Sequence, residues 1–181
     1  PYGASLMSDS PALANTPAGG RRLETFFLTL LRIGIGWHFA YEGLSKLTAD
    51  GWSAKGFLLQ SRGPLAEVFR WMAVDPERLE TVNQLNMWGL TLIGLGLILG
   101  CFTRLASAAG MLVILLFYLC NPPFIGYFYS IPTEGSYLIV NKNLVELAAL
   151  AVVLVTGSGR VAGLDRIIHR LLKKRDRPAE A

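Results

Sequence analysis

Residues 26–47 read FFLTLLRIGIGWHFAYEGLSKL, and the fold turns on how that run is understood. It is apolar enough and long enough to cross a bilayer, since roughly 20 apolar residues rising about 1.5 Å each span about 30 Å of hydrocarbon. Yet it carries Arg32, His38, Glu42 and Lys46. An ionisable group in the middle of a membrane helix costs about 2.5 to 3.5 kcal/mol on insertion scales, so it faces protein or water rather than lipid. His38, Glu42 and Lys46 follow at i, i+4 and i+8, within about 80° of arc on one helical face. That face is expected to look into a helix bundle.

The rest of the chain agrees with a membrane reading. Of 181 residues 52% are hydrophobic and 17% charged, against about 25% charged in ordinary soluble domains. Three further apolar runs follow: 82–102, 105–119 and 144–155 with its flanks. The fold expected is all-α, a polytopic bundle of four transmembrane helices. Small residues at Gly96 and Gly100, and at Ala106 and Gly110, have the spacing that allows close helix approach. The loop 48–81 is too polar to span, but Leu65, Val68, Phe69 and Met72 recur at helical spacing after Pro64, which predicts a short interfacial helix over 64–74. The segment 120–143 is broken by Pro122, Pro123 and Pro132 and is rich in aromatics, as suits a lid or an interfacial loop.

The ends differ from the middle. Residues 1–22 are rich in Pro, Ala, Gly and Ser and read as a disordered tail. Within them Met7 reads as a natural start, with the six residues before it a remnant and no separate signal peptide. Residues 23–159 form the membrane domain. From 160 to 181 the chain reads as a basic amphipathic tail, with Val161, Leu164, Ile167, Ile168, Leu171 and Leu172 on one face and Arg and Lys around the other, suited to anionic headgroups.

The net charge of +4 does not call for nucleic acid, because the basic residues gather at helix ends. Arg21, Arg22, Arg104 and the seven Lys and Arg from Arg160 onward make ten on one side of the membrane. Lys46, Lys55, Arg62, Arg70, Arg78 and Lys142 make six on the other. The positive-inside rule then puts both termini in the cytoplasm and both long loops outside.

With that topology Glu42 and Glu146 lie at matching depth, about 7 Å below the outer surface, and His38 one turn deeper. Asn83, Asn86 and Asn143 fall in the same outer half, near Lys46 and Trp52. An imidazole beside a carboxylate is a proton relay suited to quinone chemistry, in which two electrons travel with two protons. Glu42, Glu146 and His38 are therefore the candidate catalytic groups, and Asn83, Asn86, Asn143, Lys46 and Trp52 the candidate ligand contacts. The other reading of the same residues is polar glue between helices. Arg32, too far along its helix to reach Glu42, reads as a structural charge that snorkels inward or bonds Ser107. A single spanning histidine excludes bis-histidine haem ligation within the chain, and no metal-binding spacing is evident. Cys101 and Cys120 fall at opposite membrane faces, which argues against a disulfide between them.

The runs LRIGIGWHFAYEGLSKL, GWSAKGFLLQSRGPLAEVF, LNMWGLTLIGLGLILGCFTRLASAAG and NKNLVELAAL resemble the DoxX/DoxD family, and in particular its branch similar to the small DoxD-type membrane subunit of thiosulfate:quinone oxidoreductase. Arg32, Gly43 and Lys46 match the general pattern; the tryptophan-containing loop and SRGP match the narrower branch. The resemblance implies a four-helix protein of a bacterial or archaeal cytoplasmic membrane, with a quinone as cofactor and an oxidoreductase partner subunit or a second copy as partner beside the lipid bilayer. Two alternatives stand next to a quinone-linked oxidoreductase subunit: a non-catalytic anchor or assembly partner, and a small-solute transporter.

Overall fold

The structure, a computed structural model, describes residues 18–130 and 138–175. The elements are α1 (Ala18–Thr48), α2 (Lys55–Leu59), α3 (Ala66–Val74), α4 (Pro76–Leu99), α5 (Thr103–Cys120), α6 (Lys142–Thr156), a 3-10 turn (Ser158–Arg160) and α7 (Leu164–Arg175). The described residues are all-helical, without strands. The expected N-terminal tail falls outside the described residues up to 17, as does Met7; from Ala18 the chain is already helical, five residues before the expected start of the membrane domain.

Helix ends follow local chemistry. Asp75 starts α4 by accepting from the Arg78 N–H at 2.9 Å, with Pro76 in the first turn where a missing N–H costs nothing. The helix stops at Gly100, whose φ of 64° is the left-handed conformation that glycine adopts without strain. Asn141 accepts from the Leu144 N–H to start α6, which ends at Gly157 with φ 57°. The N-terminus of α5 is capped from a distance: the Asp165 carboxylate accepts from Phe102 N at 2.7 Å and Thr103 N at 2.9 Å. These bonds also hold Phe102 at φ 49°, a conformation uncommon for a residue with a Cβ.

The longest contact runs between α1 and α4, and α5 packs against α6. Closeness between α1 and α4 comes from glycines that contact each other across the pair. A Cβ on Gly36 would lie 2.9 Å from Leu97 Cβ, and one on Gly94 2.6 Å from Ala40 Cα. Gly43 sits against the backbone of Thr91 in the same way. The expected pair Gly96 and Gly100 serves otherwise, Gly96 facing Cys101 and Ala106 and Gly100 terminating the helix. Between the four long helices lies a core of Ile35, Phe39, Leu90, Ile93, Leu97, Ile114, Leu150 and Val153.

The exterior is equally apolar. Leu23, Phe26, Leu30 and Trp37 of α1, Leu92 of α4 and Leu112 of α5 are all more than half exposed. Such a surface would be an aggregation hazard in water and is what contact with hydrocarbon requires. By length and composition α4 and α5 each suffice to cross a membrane. The apolar run of α1 is diluted by charged residues, and α6 is 15 residues long, so neither is as plainly a span by length and composition alone.

The loop between α1 and α4 is docked onto the bundle. The interfacial helix expected over 64–74 is α3, and α2 precedes it. Ser61 Oγ donates to Cys120 O at 2.8 Å, joined by the N–H groups of Arg62 and Gly63, so the otherwise unpaired carbonyl end of α5 is satisfied by this loop. Arg70 Nη2 in turn donates to Ser61 O. Asn83 Oδ1 accepts from Ala54 N at 2.9 Å. Ala54, Leu58, Phe69, Ala73 and Cys120 close a second, smaller core beneath the loop.

Candidate functional site

A cavity of about 940 Å³ lies among α1, α4, α5, the start of α6 and the loops at that end of the bundle. Position on α1 decides which charges it receives. The face carrying Gly36 and Gly43 packs on α4, which leaves the stripe of His38, Glu42 and Lys46 to line the cavity. Glu146, one turn into α6, meets it from the opposite wall.

Two ion pairs organise the charges. Glu146 Oε1 and His38 Nδ1 are 2.8 Å apart, joining α6 to α1 across 108 residues of sequence. With Nδ1–H donating to the carboxylate, Nε2 is left to accept from or donate to a third group. Lys46 Nζ is 3.1 Å from Glu42 Oε2 and lies over the rings of Trp52 at 5.4 Å and Phe117 at 5.8 Å. A cation held against a carboxylate and two ring faces keeps its charge close to a mostly apolar wall. Within each pair one member is accessible and the other is shielded: His38 is 49% and Glu42 47% exposed, Glu146 13% and Lys46 16%.

Of the other sequence-derived candidates, Asn86, Asn143 and Trp52 line the cavity. Asn83 does not; it is buried and holds the Ala54 N–H, so its role is to dock the outer loop. Asn86 Oδ1 and Asn121 Oδ1 are buried with no partner among the described residues, as happens where a water or ligand completes the wall. Sequence reasoning left out Phe57, Phe117 and Asn121, together with the stretch from Pro123 to Tyr129, all of which line the cavity. Their signal was the aromatic, proline-bounded loop read as a lid or interfacial segment. Tyr129 donates to Pro122 O at 2.8 Å, and burial pushes its phenol up while Arg62 opposes that.

Arg32 stands apart from this site. It is 2% exposed, and Nη2 donates to Ala162 O at 2.6 Å. The expected Ser107 bond is not made: Ser107 Oγ, like Arg32 Nε and Nη1, has no partner among the described residues. The carbonyl lies 130 residues away, in the turn before α7. Arg32 and Asp165 thus tie the C-terminal segment to the end of the bundle opposite the cavity. Both cysteines are free thiols. Among the described residues no group of three or more His, Cys, Asp or Glu could hold a metal ion.

Comparison with curated proteins and with solved structures returns no match. The family model described as DoxX matches residues 27–120, just over half of the chain, from within α1 to the end of α5, including His38, Glu42, Lys46 and Asn86. With that match and its apolar, all-helical build, the chain belongs to the DoxX family, a membrane family often associated with oxidoreductase systems.

Proposed function

We propose that this DoxX protein is a four-span membrane subunit of a quinone-linked oxidoreductase, and that the cavity between α1 and α6 binds the quinone headgroup. The four spans in this reading are α1, α4, α5 and α6, with both termini cytoplasmic and the cavity in the outer half. The positive-inside asymmetry and the lipid-like exterior support it. A single observation carries the functional part: a cavity of about 940 Å³, large enough for a ring with substituents, is walled by aromatic and aliphatic side chains and carries a His–Glu pair and a Lys–Glu pair along the α1 stripe that lines it.

The residues fit that ligand class. A bound quinone accepts two electrons and two protons. In this reading Trp52, Phe57 and Phe117 supply an apolar, aromatic wall against the ring and keep water out, and Lys46 Nζ and His38 Nε2 donate hydrogen bonds to ring oxygens. Glu146 holds the imidazole in orientation and stabilises its protonated form, so that His38 can pass a proton and be resupplied through the outer loops. Electrons come from a partner subunit or from a donor bound at those loops, with thiosulfate the donor that the narrower resemblance implies.

A second reading, an anchor or assembly partner, draws on Asn83 and Ser61, polar residues that serve only to fasten the loop. To separate the two, the purified protein is reconstituted with a soluble quinone and thiosulfate, with and without proteins that co-purify with it, and quinone reduction is followed. The enzymatic reading expects reduction that drops at least tenfold in Glu146→Gln and Glu42→Gln. Activity restored by partners but indifferent to both substitutions would transfer the assignment to the anchor reading.

A further inference from the structure

We infer that the seam between α1 and α6, at the notch formed by Gly34, is the path by which the alkyl tail of the ligand leaves the cavity for the lipid. The inference rests on the quinone reading of the cavity and adds to it the route of the tail and the residue that keeps it open.

Three observations converge on this seam. First, α1 lies along α4 for much of its length but meets α6 over a far shorter stretch, so the bundle is least closed there. Second, the one side-chain bridge described between α1 and α6 above the inner end is His38–Glu146, and His38 lines the cavity and is half exposed. A single bridge between cavity-lining residues is what closes this side of the site. Third, a Cβ added at Gly34 would meet nothing within 4 Å, whereas one at Gly36 or Gly43 would collide with α4.

Gly34 lies one helical turn below His38, and the same stripe continues through Leu31 and Phe27, both exposed. From His38 to Phe27 the helix rises about 16 Å. This gives a tail an apolar track that starts at the headgroup site, near mid-membrane, and runs toward the inner face. Leucine or phenylalanine at position 34 would suit a lipid-facing helix just as well as glycine does and would favour the helix more. Open space one turn below the cavity-lining His38 supplies a reason for a residue without a side chain.

The test compares two probes on purified protein in nanodiscs: a tail-less dimethoxy-methylbenzoquinone and the same ring with a decyl tail, each titrated against tryptophan fluorescence. Gly34→Phe should weaken the decyl compound at least tenfold and leave the tail-less ring within about twofold. Equal binding of both probes to wild type and variant would overturn the tail route while sparing the headgroup site. Failure of the wild type to bind either probe would overturn the headgroup reading and the route with it. In the wild-type protein, a diazirine on the first tail carbon should cross-link to the α1 stripe around Gly34 or to the facing side of α6. Labelling confined to α4 or α5 would refute the route whether or not the variant folds.

Discussion

Two glycines in α1 should respond to the same substitution with opposite signs. In Gly43→Ala the new methyl would lie 2.5 Å from Thr91 N and closer still to Thr91 Oγ1, where ordinary contact needs 3.4 Å or more. Two of the three nearest atoms, Thr91 N and Met87 O, belong to the backbone of α4, so relief requires the helices to part by about 1 Å, and overpacking of this kind costs about 1 to 3 kcal/mol. In Gly34→Ala the methyl meets nothing within 4 Å, and replacing a mid-helix glycine gains about 0.5 to 1 kcal/mol in backbone terms. The two variants should therefore differ by about 1.5 to 4 kcal/mol. For a chain of this size that corresponds to a gap of roughly 3 to 16 °C in melting temperature. Thermal unfolding of the detergent-solubilised proteins, followed by tryptophan fluorescence, measures it. Equal melting temperatures, or a more stable Gly43→Ala, would show that α1 does not pack on α4 through this face.

Other expectations concern the two ends of the bundle. Asp165→Ala removes the acceptor of the Phe102 and Thr103 amides; it should cost about 1 to 2 kcal/mol and speed hydrogen exchange at those two amides, and unchanged exchange would exclude a capping role. Gly63→Ala places a methyl onto the Leu119 carbonyl oxygen, so it should lift the outer loop and open the Cys120 thiol, 1% exposed in the native fold, to a small maleimide that the wild type resists. Ser61→Ala, which leaves Cys120 O two backbone donors, should cost under about 1 kcal/mol and leave the thiol protected. In a background with Cys101 and Cys120 replaced by Ser, an impermeant reagent applied outside the cell should label Glu67→Cys and spare Arg160→Cys; the reverse would invert the topology.

Much of this architecture is readable from local pattern. Apolar runs locate α1, α4, α5 and α6, and the i, i+4, i+8 spacing puts His38, Glu42 and Lys46 on the stripe that lines the cavity. Matched depth, inferred from basic residues at helix ends, pairs α1 with the start of α6, where Glu146 meets His38. What escapes is whatever depends on a partner distant in sequence. Arg32 finds Ala162 rather than Ser107, because the turn before α7 folds back beneath the bundle. The glycines that matter at the α1–α4 contact are Gly36, Gly43 and Gly94, since a small-residue spacing within one helix does not name the face that meets its neighbour. Asn83 has the depth of a ligand contact but is consumed by a loop amide. The aromatics from Phe124 to Tyr129 enter the cavity only because the loop bearing them folds over its mouth.

At the centre of the account is the claim that the His38–Glu146 wall belongs to a quinone site. Equilibrium binding of the decyl-tailed benzoquinone to wild type and to Glu146→Gln, in nanodiscs at neutral pH with melting temperature recorded in parallel, tests it most directly. The account predicts saturable binding by the wild type, at least a tenfold loss of affinity in Glu146→Gln, and a change in melting temperature small enough to show an intact bundle. Saturable binding that is the same in Glu146→Gln and in a His38→Ala, Lys46→Met double variant would contradict it.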